Sequence, residues 1–474
     1  MRWWRGGGVV ASVVSMGLLG LGVVAPAAGS ASSAVPGIHP VPLAPQAARY
    51  LDLPTPPTTA QCELAAGVPC YDPAQLEKAY DLNQLFAHNI TGSGETMVIV
   101  DAFGSPTITQ DLRHFDAALG LPAPPNFKII APAGPIPAYP QDPFGKADRA
   151  SWAFETTLDV EWSHAMAPGA NILLVETPES ETEGIQGFPE IIQAENYVIT
   201  HHLGQVISQS FGATEQTFLP SPLEINNLRS ANINAAANNV TMLAASGDAG
   251  STDFEANQAC CYPYRVTSWP DSDPLVTAVG GTQLHLDASG NRTAPDSVWN
   301  DQALFGSPAA GGGGQSIVFS RPSFQDPVAS VVGSQRGLPD IAMSAAVNGA
   351  VIVYYSFTDW EQSPPFRGPE WNIVGGTSEA TPLFAGIVAL TDQAVGHSVG
   401  DLNPYLYSSP PGVVDVTNGN NTVTFCATQC NGPTPTNLTV PGWNAVPGYD
   451  LASGLGTIDG FNFVMGAKAA LSGG

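Results

Sequence analysis

Positive charge is scarce in this chain of 474 residues. It has 15 Lys and Arg residues against 41 Asp and Glu residues, so its formal net charge at pH 7 is −26. A surface of this sign repels the phosphates of nucleic acids and anionic membranes, so neither is an expected partner. Because an acidic surface gains few extra positive charges at low pH, the composition suits an acidic environment.

Long hydrophobic runs are missing beyond the N-terminus, so no later segment could span a bilayer. The N-terminus has Arg2 and Arg5, an apolar stretch from Val9 to Val24, and small residues at Ala25–Ala27. This pattern predicts a secretory signal peptide, assigned to residues 1–34. A membrane anchor is the alternative, but the apolar stretch is short and rich in Gly and Ser. We therefore expect a secreted, extracellular protein.

Cysteine is sparse, and the six residues fall into three close pairs: Cys62 and Cys70, Cys260 and Cys261, Cys426 and Cys430. In a secreted chain such numbers favour disulfides. Cys260 and Cys261 are adjacent, so they either form a strained vicinal bridge or pair elsewhere, and the sequence leaves this open. A structural zinc site is the alternative, but no C-x-x-C pair or nearby histidine supports it.

Apolar residues make up 43% of the chain, and Gly (50) and Pro (43) are abundant. This composition favours a loop-rich globular protein over a disordered one. Residues 35–75 are assigned to a leader, whose first part is rich in Pro and Ala and is predicted to be flexible. Residues 76–474 are assigned to one domain, in which we find no internal repeat.

Short apolar segments alternate with helical patterns along this domain. Strands are predicted at Thr96–Ala102, Ile172–Glu176, Val206–Phe211, Thr241–Ala245 and Leu275–Val279. Helices are predicted at Leu76–Leu85, Asp111–Leu119, Trp152–Met166, Phe188–His201 and Glu224–Asn238. Residues 283–350 are less regular. The alternation predicts an α/β fold with a central, mostly parallel sheet and helices on both faces.

Two motifs carry chemistry. Gly375 and Gly376 precede Thr377-Ser378, and an apolar run follows, which is typical of a nucleophile at the start of a helix. Glu155 and Asp159 are four residues apart, so on a helix they share one face. Taken singly, Ser378 fits a helix N-cap and the two acids fit a solvated helix face.

Several segments, in order along the chain, resemble sedolisins, the serine-carboxyl peptidases that share the subtilisin fold. They are Glu155–Trp162, Val206–Gly212, Ala245–Gly250, Val279–Thr282, Leu338–Ile341 and Gly375–Pro382. The resemblance implies a subtilisin-like fold and a Ser378–Glu155–Asp159 triad. Asp248 is implied to stabilise the oxyanion, although taken alone it fits a turn residue.

These roles make physical sense. Glu155 would accept the Ser378 proton, because a carboxylate with a pKa of about 4.3 is ionised in acid, where a histidine with a pKa of about 6.5 is protonated. Asp159 would orient Glu155 and share a proton with it. Asp248, when protonated, would donate to the oxyanion beside the Ser378 backbone N–H.

An ordinary subtilisin site is the nearest alternative. Asp101 follows a strand, as a subtilisin aspartate would. That family also needs a histidine in a His-Gly-Thr-like segment, and none of the eight histidines has this context. The adjacent His201 and His202 fit a helix end, where cations are favoured.

The resemblance also implies a calcium site near the C-terminus. Its ligands would be the side chains of Asp415 and Asp450 and the carbonyls of Val416, Val446 and Gly448. Carboxylates and carbonyls are the hard oxygen ligands that Ca²⁺ prefers. A pair of turn aspartates is the alternative.

One departure from the family concerns the leader. Family members usually carry a large folded pro-domain, and the forty or so residues between the signal and Leu76 are too few for one. The expected activity is that of an acid-acting endopeptidase with protein or peptide substrates, acting as a monomer. A tripeptidyl-peptidase and a non-catalytic binding protein on the same scaffold are the alternatives.

Overall fold

The structure of the chain, a computed structural model, describes residues 49–50, 55–138, 149–181, 187–218, 220–255, 261–357, 370–426 and 437–472. These residues all belong to one unit, Ile38–Gly474. The predicted signal peptide, the residues before 49 of the predicted leader, and Cys260 and Cys430 lie outside the described residues.

The helices in the described part are α1 (Thr59–Ala66), α2 (Pro73–Ala79), α3 (Leu82–Ala87), α4 (Ile108–Leu119), α5 (Arg149–Met166), α6 (Phe188–Thr200), α7 (Ser230–Ala237), α8 (Gln302–Phe305), α9 (Ala329–Val332), α10 (Thr377–Val395), α11 (Asn403–Leu406) and α12 (Gly460–Leu471). Short 3₁₀ helices lie at Glu215–Thr217, Pro222–Asn227 and Ser323–Val328. None of the helices described is long and apolar enough to cross a membrane.

The strands are β1 (Arg49–Tyr50), β2 (Cys70–Tyr71), β3 (Thr96–Ala102), β4 (Phe127–Ile130), β5 (Asn171–Thr177), β6 (Val206–Gln209), β7 (Ala213–Thr214), β8 (Thr241–Ala245), β9 (Ser268–Trp269), β10 (Thr277–Gln283), β11 (Ser297–Val298), β12 (Gly314–Ser320), β13 (Gln335–Leu338), β14 (Ile341–Ser344), β15 (Ala350–Tyr355), β16 (Glu370–Val374), β17 (Val413–Val414), β18 (Val423–Cys426), β19 (Asn437–Val440) and β20 (Thr457–Ile458).

A sheet of eight strands forms the centre of the fold, in the order β11-β10-β8-β6-β3-β5-β4, with β14 also paired to β10. Every pairing in it is parallel except that of β10 with β11. On β3, Met97 and Ile99 pack into one hydrophobic cluster while Val98 and Val100 pack into another. Both faces of the strand are therefore buried, as expected of a parallel sheet covered on both sides. The predicted fold class is confirmed.

The helices that bear the predicted catalytic residues lie on one face of this sheet. Residues of α5 and α10 share the larger cluster with Met97 and Ile99, whereas residues of α6 and α7 share the other. The two helices on the first face come very close, because a Cβ on Gly386 would lie 2.4 Å from the Met166 Cβ.

A second sheet, in the order β1-β16-β15-β2, leads into the serine motif. Strand β16 ends at Val374, directly before Gly375 and Gly376. At the other edge β2 pairs with β15, and Cys70 of β2 forms a disulfide with Cys62 of α1, with a Cα–Cα distance of 5.7 Å. This disulfide bears out one of the expected cysteine bridges. Cys261 is buried and has no disulfide partner among the described residues.

Several element boundaries differ from the predictions. The strand predicted at Val206–Phe211 ends at Gln209, and the one predicted at Leu275–Val279 is Thr277–Gln283. The helix predicted at Glu224–Asn238 is divided into a 3₁₀ turn and α7. The region 283–350, which the sequence analysis described only as less regular, contains β11, β12, β13 and β14.

The boundaries of the predicted signal, leader and peptidase domain stay predictions. The described part of the leader is folded from Thr59 on, since α1 and β2 contribute Cys62, Ala66 and Tyr71 to the main hydrophobic cluster. The ordered body therefore begins before Leu76.

Candidate active site

Ser378 lies at the second residue of α10 and is fully buried. The turn from β16 into this helix passes through Gly376, whose φ is 135°, a conformation that favours glycine. A Cβ at Gly376 would also lie 2.7 Å from Oδ2 of Asp248. The glycine therefore allows the serine backbone and the Asp248 carboxyl group to lie side by side.

Glu155 and Asp159 lie one turn apart on α5, 3% and 0% exposed. Burial raises the pKa of both carboxyl groups well above the usual range. Asp159 raises the pKa of Glu155 further, while the neighbouring Ser378 hydroxyl lowers it by hydrogen bonding. Two adjacent buried carboxyl groups titrate as a pair, so they hold at least one proton over a wide pH range.

Ser210, just past the end of β6, links the two helices. Its hydroxyl lies 3.0 Å from Oδ1 of Asp159 and 3.4 Å from the backbone carbonyl of Ser378. That carbonyl has no helical N–H partner, because the residue four positions on is Pro382. Ser210 thus satisfies a carbonyl that the proline leaves open and fixes the orientation of Asp159.

Asp248 lies beside the serine, at the end of the segment that follows β8, and is 1% exposed. Its Oδ1 accepts hydrogen bonds of 2.7 Å from both the backbone N–H and the hydroxyl of Thr377. Its Oδ2 has no partner among the described residues. Burial raises the pKa of Asp248 to about 7, against the lowering effect of the two Thr377 bonds. The carboxyl group is therefore neutral in acid, and Oδ2 is the oxygen that is free to hold the proton.

Asp101, near the end of β3, lies close enough to Glu155 and Asp159 for its charge to act on both carboxyl groups. Burial raises its pKa to about 7, and its charge raises the pKa of both Asp159 and Glu155.

His164 lies on α5, the helix that carries Glu155 and Asp159. It contacts the Pro122 carbonyl at 2.7 Å and Asp116 at 3.3 Å. Burial lowers the pKa of His164 to about 4. His164 therefore packs against Pro122 and Asp116 and does not lie beside Ser378.

The structure thus brings all four sequence-predicted residues together: Ser378, Glu155, Asp159 and Asp248. Sequence reasoning missed Thr377 and Ser210, which hold Asp248 and Asp159. Thr377 stands inside the serine motif, so its position was a usable signal. Ser210 stands inside the family-like segment Val206–Gly212, but its contact with the Ser378 carbonyl depends on the missing N–H of Pro382, which its own sequence context does not indicate.

The five residues predicted to bind calcium also lie together. The Gly448 N–H donates to Oδ2 of Asp415 at 2.8 Å, and the Val446 N–H donates to Oδ2 of Asp450 at 2.9 Å. The hydroxyl of Ser453 lies 3.0 Å from Oδ1 of Asp450 and 3.4 Å from the Val416 carbonyl. Among the described residues no group of three or more His, Cys, Asp or Glu side chains could hold a metal. The donor set is instead two carboxylates and backbone carbonyls, which fits Ca²⁺.

Comparisons with known proteins identify the family of the chain. The family model described as "Subtilase family" matches residues 148–405, more than half of the chain. The chain belongs to the subtilase family. Its relatives place it among the sedolisins. Kumamolisin from Bacillus sp. (strain MN-32) is 33% identical over 402 residues, which are 83% of this chain and 63% of kumamolisin.

Sedolisin from Pseudomonas sp. (strain 101) is 31% identical over 407 residues, covering 84% of this chain and 61% of the relative. A solved structure of Pseudomonas sedolisin, a serine-carboxyl proteinase complexed with two molecules of pseudo-iodotyrostatin, matches with a TM-score of 0.65 and 27% identity. The match covers 84% of the present chain and 98% of the Pseudomonas sedolisin chain. Tripeptidyl-peptidase sed4 from Aspergillus fumigatus is 32% identical over 293 residues, 54% of this chain and 43% of the relative. The present chain therefore spans less than two thirds of the length of the relatives kumamolisin, sedolisin and sed4.

Proposed function

We propose that this sedolisin is a secreted, acid-acting serine-carboxyl endopeptidase that hydrolyses peptide bonds through an acyl-enzyme. The observation that carries the proposal is that Asp248 is protonated in acid, because burial raises its pKa to about 7. Its Oδ1 is held by two Thr377 donors, while its Oδ2, beside Gly376 and next to the serine, has no partner in the described part of the chain. A neutral carboxyl group in this position can donate its proton to an oxyanion.

In the first half of the reaction, the Ser378 oxygen attacks the carbonyl carbon of the scissile bond. The hydroxyl proton passes to Glu155 as the new bond forms, and the negative charge moves onto the former carbonyl oxygen. The protonated Asp248 and the Ser378 backbone N–H stabilise that oxygen. Glu155 then gives the proton to the leaving nitrogen as the C–N bond breaks, which leaves an ester on Ser378.

In the second half, water replaces the amine. Glu155 accepts a proton from the attacking water, and the same two donors stabilise the second oxyanion. When the ester bond breaks, the proton returns from Glu155 to the Ser378 oxygen, and the acid product is released. Asp159, oriented by Ser210, holds Glu155 in place through a shared proton.

A direct test compares the wild type with two variants on an internally quenched peptide in acid. Ser378→Ala removes the nucleophile, and Glu155→Gln removes the proton acceptor while keeping the shape. Both should lose activity by about three orders of magnitude or more while keeping the melting temperature. As a matched control, Glu195→Gln changes a buried glutamate on α6, remote from the site, and should retain activity. Wild-type-like turnover by the folded Ser378→Ala protein would refute the assignment.

Tripeptidyl-peptidase activity is the second candidate, because several relatives, sed4 among them, carry that name. The two activities differ in their products. An endopeptidase cleaves inside a long peptide with a blocked N-terminus, whereas a tripeptidyl-peptidase releases three residues at a time from a free N-terminus. Mass spectrometry of the products from N-acetylated and free forms of one peptide distinguishes them.

We also propose that Asp415, Asp450 and the carbonyls of Val416, Val446 and Gly448 hold a calcium ion. The ion would stabilise the turns around the short ribbon of β17 and β20 without taking part in the proton transfers. The preformed hydrogen bonds to Asp450 support this role, since they orient its carboxylate before any ion binds.

A further inference from the structure

The main chain around Asp248 is hydrogen-bonded to a segment that is distant in the sequence. The Ala310 N–H donates to the Asp248 carbonyl at 2.9 Å, and the Gly250 N–H donates to the Ala310 carbonyl at 2.8 Å. On the other side of Asp248, the Gly312 N–H donates to the Gly247 carbonyl at 2.7 Å. The backbone that carries the Asp248 carboxyl group therefore takes its position from this distant segment.

Residues 310–312, here called the partner segment, pack closely against this main chain. A Cβ on Gly312 would lie 1.9 Å from the Ser246 carbonyl oxygen, so no other residue fits there without a shift of backbone. The Ser246 hydroxyl also donates to the Gly312 carbonyl at 3.0 Å. Because backbone cannot swing aside as a flexible side chain can, a shift of the partner segment would displace the main chain of Asp248 with it.

Asn421 contacts both the partner segment and the segment that carries Asp248. It is fully buried. Its Nδ2 donates to the Gly311 carbonyl at 3.1 Å, although the two residues are 110 positions apart in the chain. Its Oδ1 accepts the Trp443 N–H at 2.7 Å, and its backbone carbonyl accepts the Ser251 N–H at 3.1 Å. One side-chain amide thus joins three distant parts of the chain next to the candidate active site.

Both halves of the Asn421 amide are used, but only one of its two bonds is backed by another. The Asn421 N–H also donates to the Trp443 carbonyl at 3.2 Å, so these two residues stay paired without the side chain. The Gly311 carbonyl is buried and, among the described residues, receives its hydrogen bond from Asn421 alone. Losing that donor would favour a shift of the partner segment towards another donor or water, since buried carbonyls are nearly always paired.

We propose that Asn421 is a positioning residue for the reaction: its amide fixes the partner segment, which in turn fixes the Asp248 carboxyl group beside Ser378. The inference rests on the proposed peptidase function and adds a residue to it. Asn421 acts through main-chain contacts and not on the reacting atoms. An oxyanion donor works at about 3 Å from the developing charge, so a small displacement of Asp248 weakens the transition state more than substrate binding.

The test measures kcat and KM separately for the full chain on an internally quenched peptide in acid. Asn421→Ala should lower kcat by about 10-fold or more and change KM by less than about 2-fold, because the oxyanion bond is made only in the transition state. Asn403→Ala is the matched control. Asn403 is also fully buried, and it bonds the Val276 carbonyl at 3.0 Å and the Thr277 hydroxyl at 2.9 Å, where β10 begins. This variant should lose stability but keep kcat.

Asn421→Asp tests whether the donor itself matters. At about pH 3 its carboxyl group is protonated, so one oxygen can donate to the Gly311 carbonyl while the other accepts the Trp443 N–H. We therefore expect Asn421→Asp to recover most of the kcat that Asn421→Ala loses at this pH. A general defect of packing would not be repaired by a change that restores only the hydrogen bonds.

Four results would overturn the inference: a wild-type kcat in folded Asn421→Ala, a loss seen only in KM, an equal loss of kcat in Asn403→Ala, or no recovery in Asn421→Asp. If Asn421→Ala does not fold, Asn421→Ser gives the same comparison, because its hydroxyl is too short to reach both partners. Failure of the folded wild type to cleave any peptide would instead overturn the proposed function, and the inference with it.

Discussion

The hydroxyl of Thr377 donates a hydrogen bond of 2.7 Å to Oδ1 of Asp248 and accepts one of 3.1 Å from the Gly247 N–H. The Thr377 N–H also donates to Oδ1 at 2.7 Å, so both acceptor positions of this oxygen are used by Thr377. The proton of Asp248 is therefore placed on Oδ2, the oxygen beside Gly376. Thr377, the residue before Ser378, thus determines which Asp248 oxygen can carry the proton.

Thr377→Val should have two effects that a purely structural defect would not combine. Losing the hydroxyl frees the carboxyl proton to move between oxygens, so kcat should fall by about 10-fold or more. That hydroxyl also lowers the pKa of Asp248, so its loss should raise the pKa and move the alkaline limb of the rate profile to higher pH.

The measurement is the pH profile of kcat and kcat/KM for Thr377→Val, with Thr377→Ser as the conservative variant that should restore both features. Thr391→Val is the control, because Thr391 is a buried threonine of the same helix that donates to the Ile387 carbonyl at 2.8 Å. An unchanged alkaline limb in Thr377→Val would show that Thr377 does not tune Asp248.

Calcium binding should appear as added stability. A ligand that binds only the folded state raises its stability by mass action, so EDTA should lower the melting temperature and added Ca²⁺ should restore it. Asp450→Asn should weaken this response. Asp287→Asn, at a partly exposed turn aspartate that accepts hydrogen bonds from its own loop, should keep it. Identical melting curves in EDTA and Ca²⁺, with no metal found by elemental analysis, would contradict the site.

Folding stability should fall as pH rises from the acid range. Burial raises the pKa of Glu195 to about 8 and those of Asp101, Asp116 and Asp248 to about 7. The folded state therefore binds more protons than the unfolded state between the ordinary carboxyl pKa and these raised values. Its stability is fully present below about pH 4 and is lost as pH rises through 7 to 8.

Glu195→Gln isolates one of these groups away from the site. Glu195 is 2% exposed on α6, and glutamine stays neutral at every pH. The variant should therefore lose less stability than the wild type between about pH 5 and pH 8, by on the order of 2 kcal/mol. The exposed Glu63→Gln is the control and should follow the wild type. Parallel melting-temperature curves for Glu195→Gln and the wild type would contradict the proposed protonation.

The four candidate site residues were identified by ordered motifs that resemble those of sedolisins, since each residue taken alone fits an ordinary structural role. Glu155 and Asp159 are one helical turn apart, and Ser378 stands two residues after Gly376, the glycine that its turn requires. The parallel sheet was predictable from apolar segments such as Thr96–Ala102, whose bounds the structure reproduces.

Contacts between distant segments could not be predicted in this way. Thr377 and Asp248 are 129 residues apart, and Ser210 and Asp159 are 51 apart. Their meeting depends on how closely α5, α10 and the central strands pack, which single residues do not specify. Strand β14 was missed because its four residues gain their stability from pairing with β10 rather than from their own pattern.

The central claim is that every proton-handling group of the site is a carboxyl group. The direct test is kcat/KM on a fluorogenic peptide from about pH 2 to about pH 9, with the folded state checked at each point. The acid limb should report the first ionisation of the Glu155–Asp159 pair, and the alkaline limb the loss of the Asp248 proton, whose pKa burial raises to about 7. The account predicts a bell-shaped profile with its maximum in acid and little activity left by about pH 8. A maximum at or above about pH 7.5 in a protein folded throughout would contradict it, since that is the range in which a histidine base works.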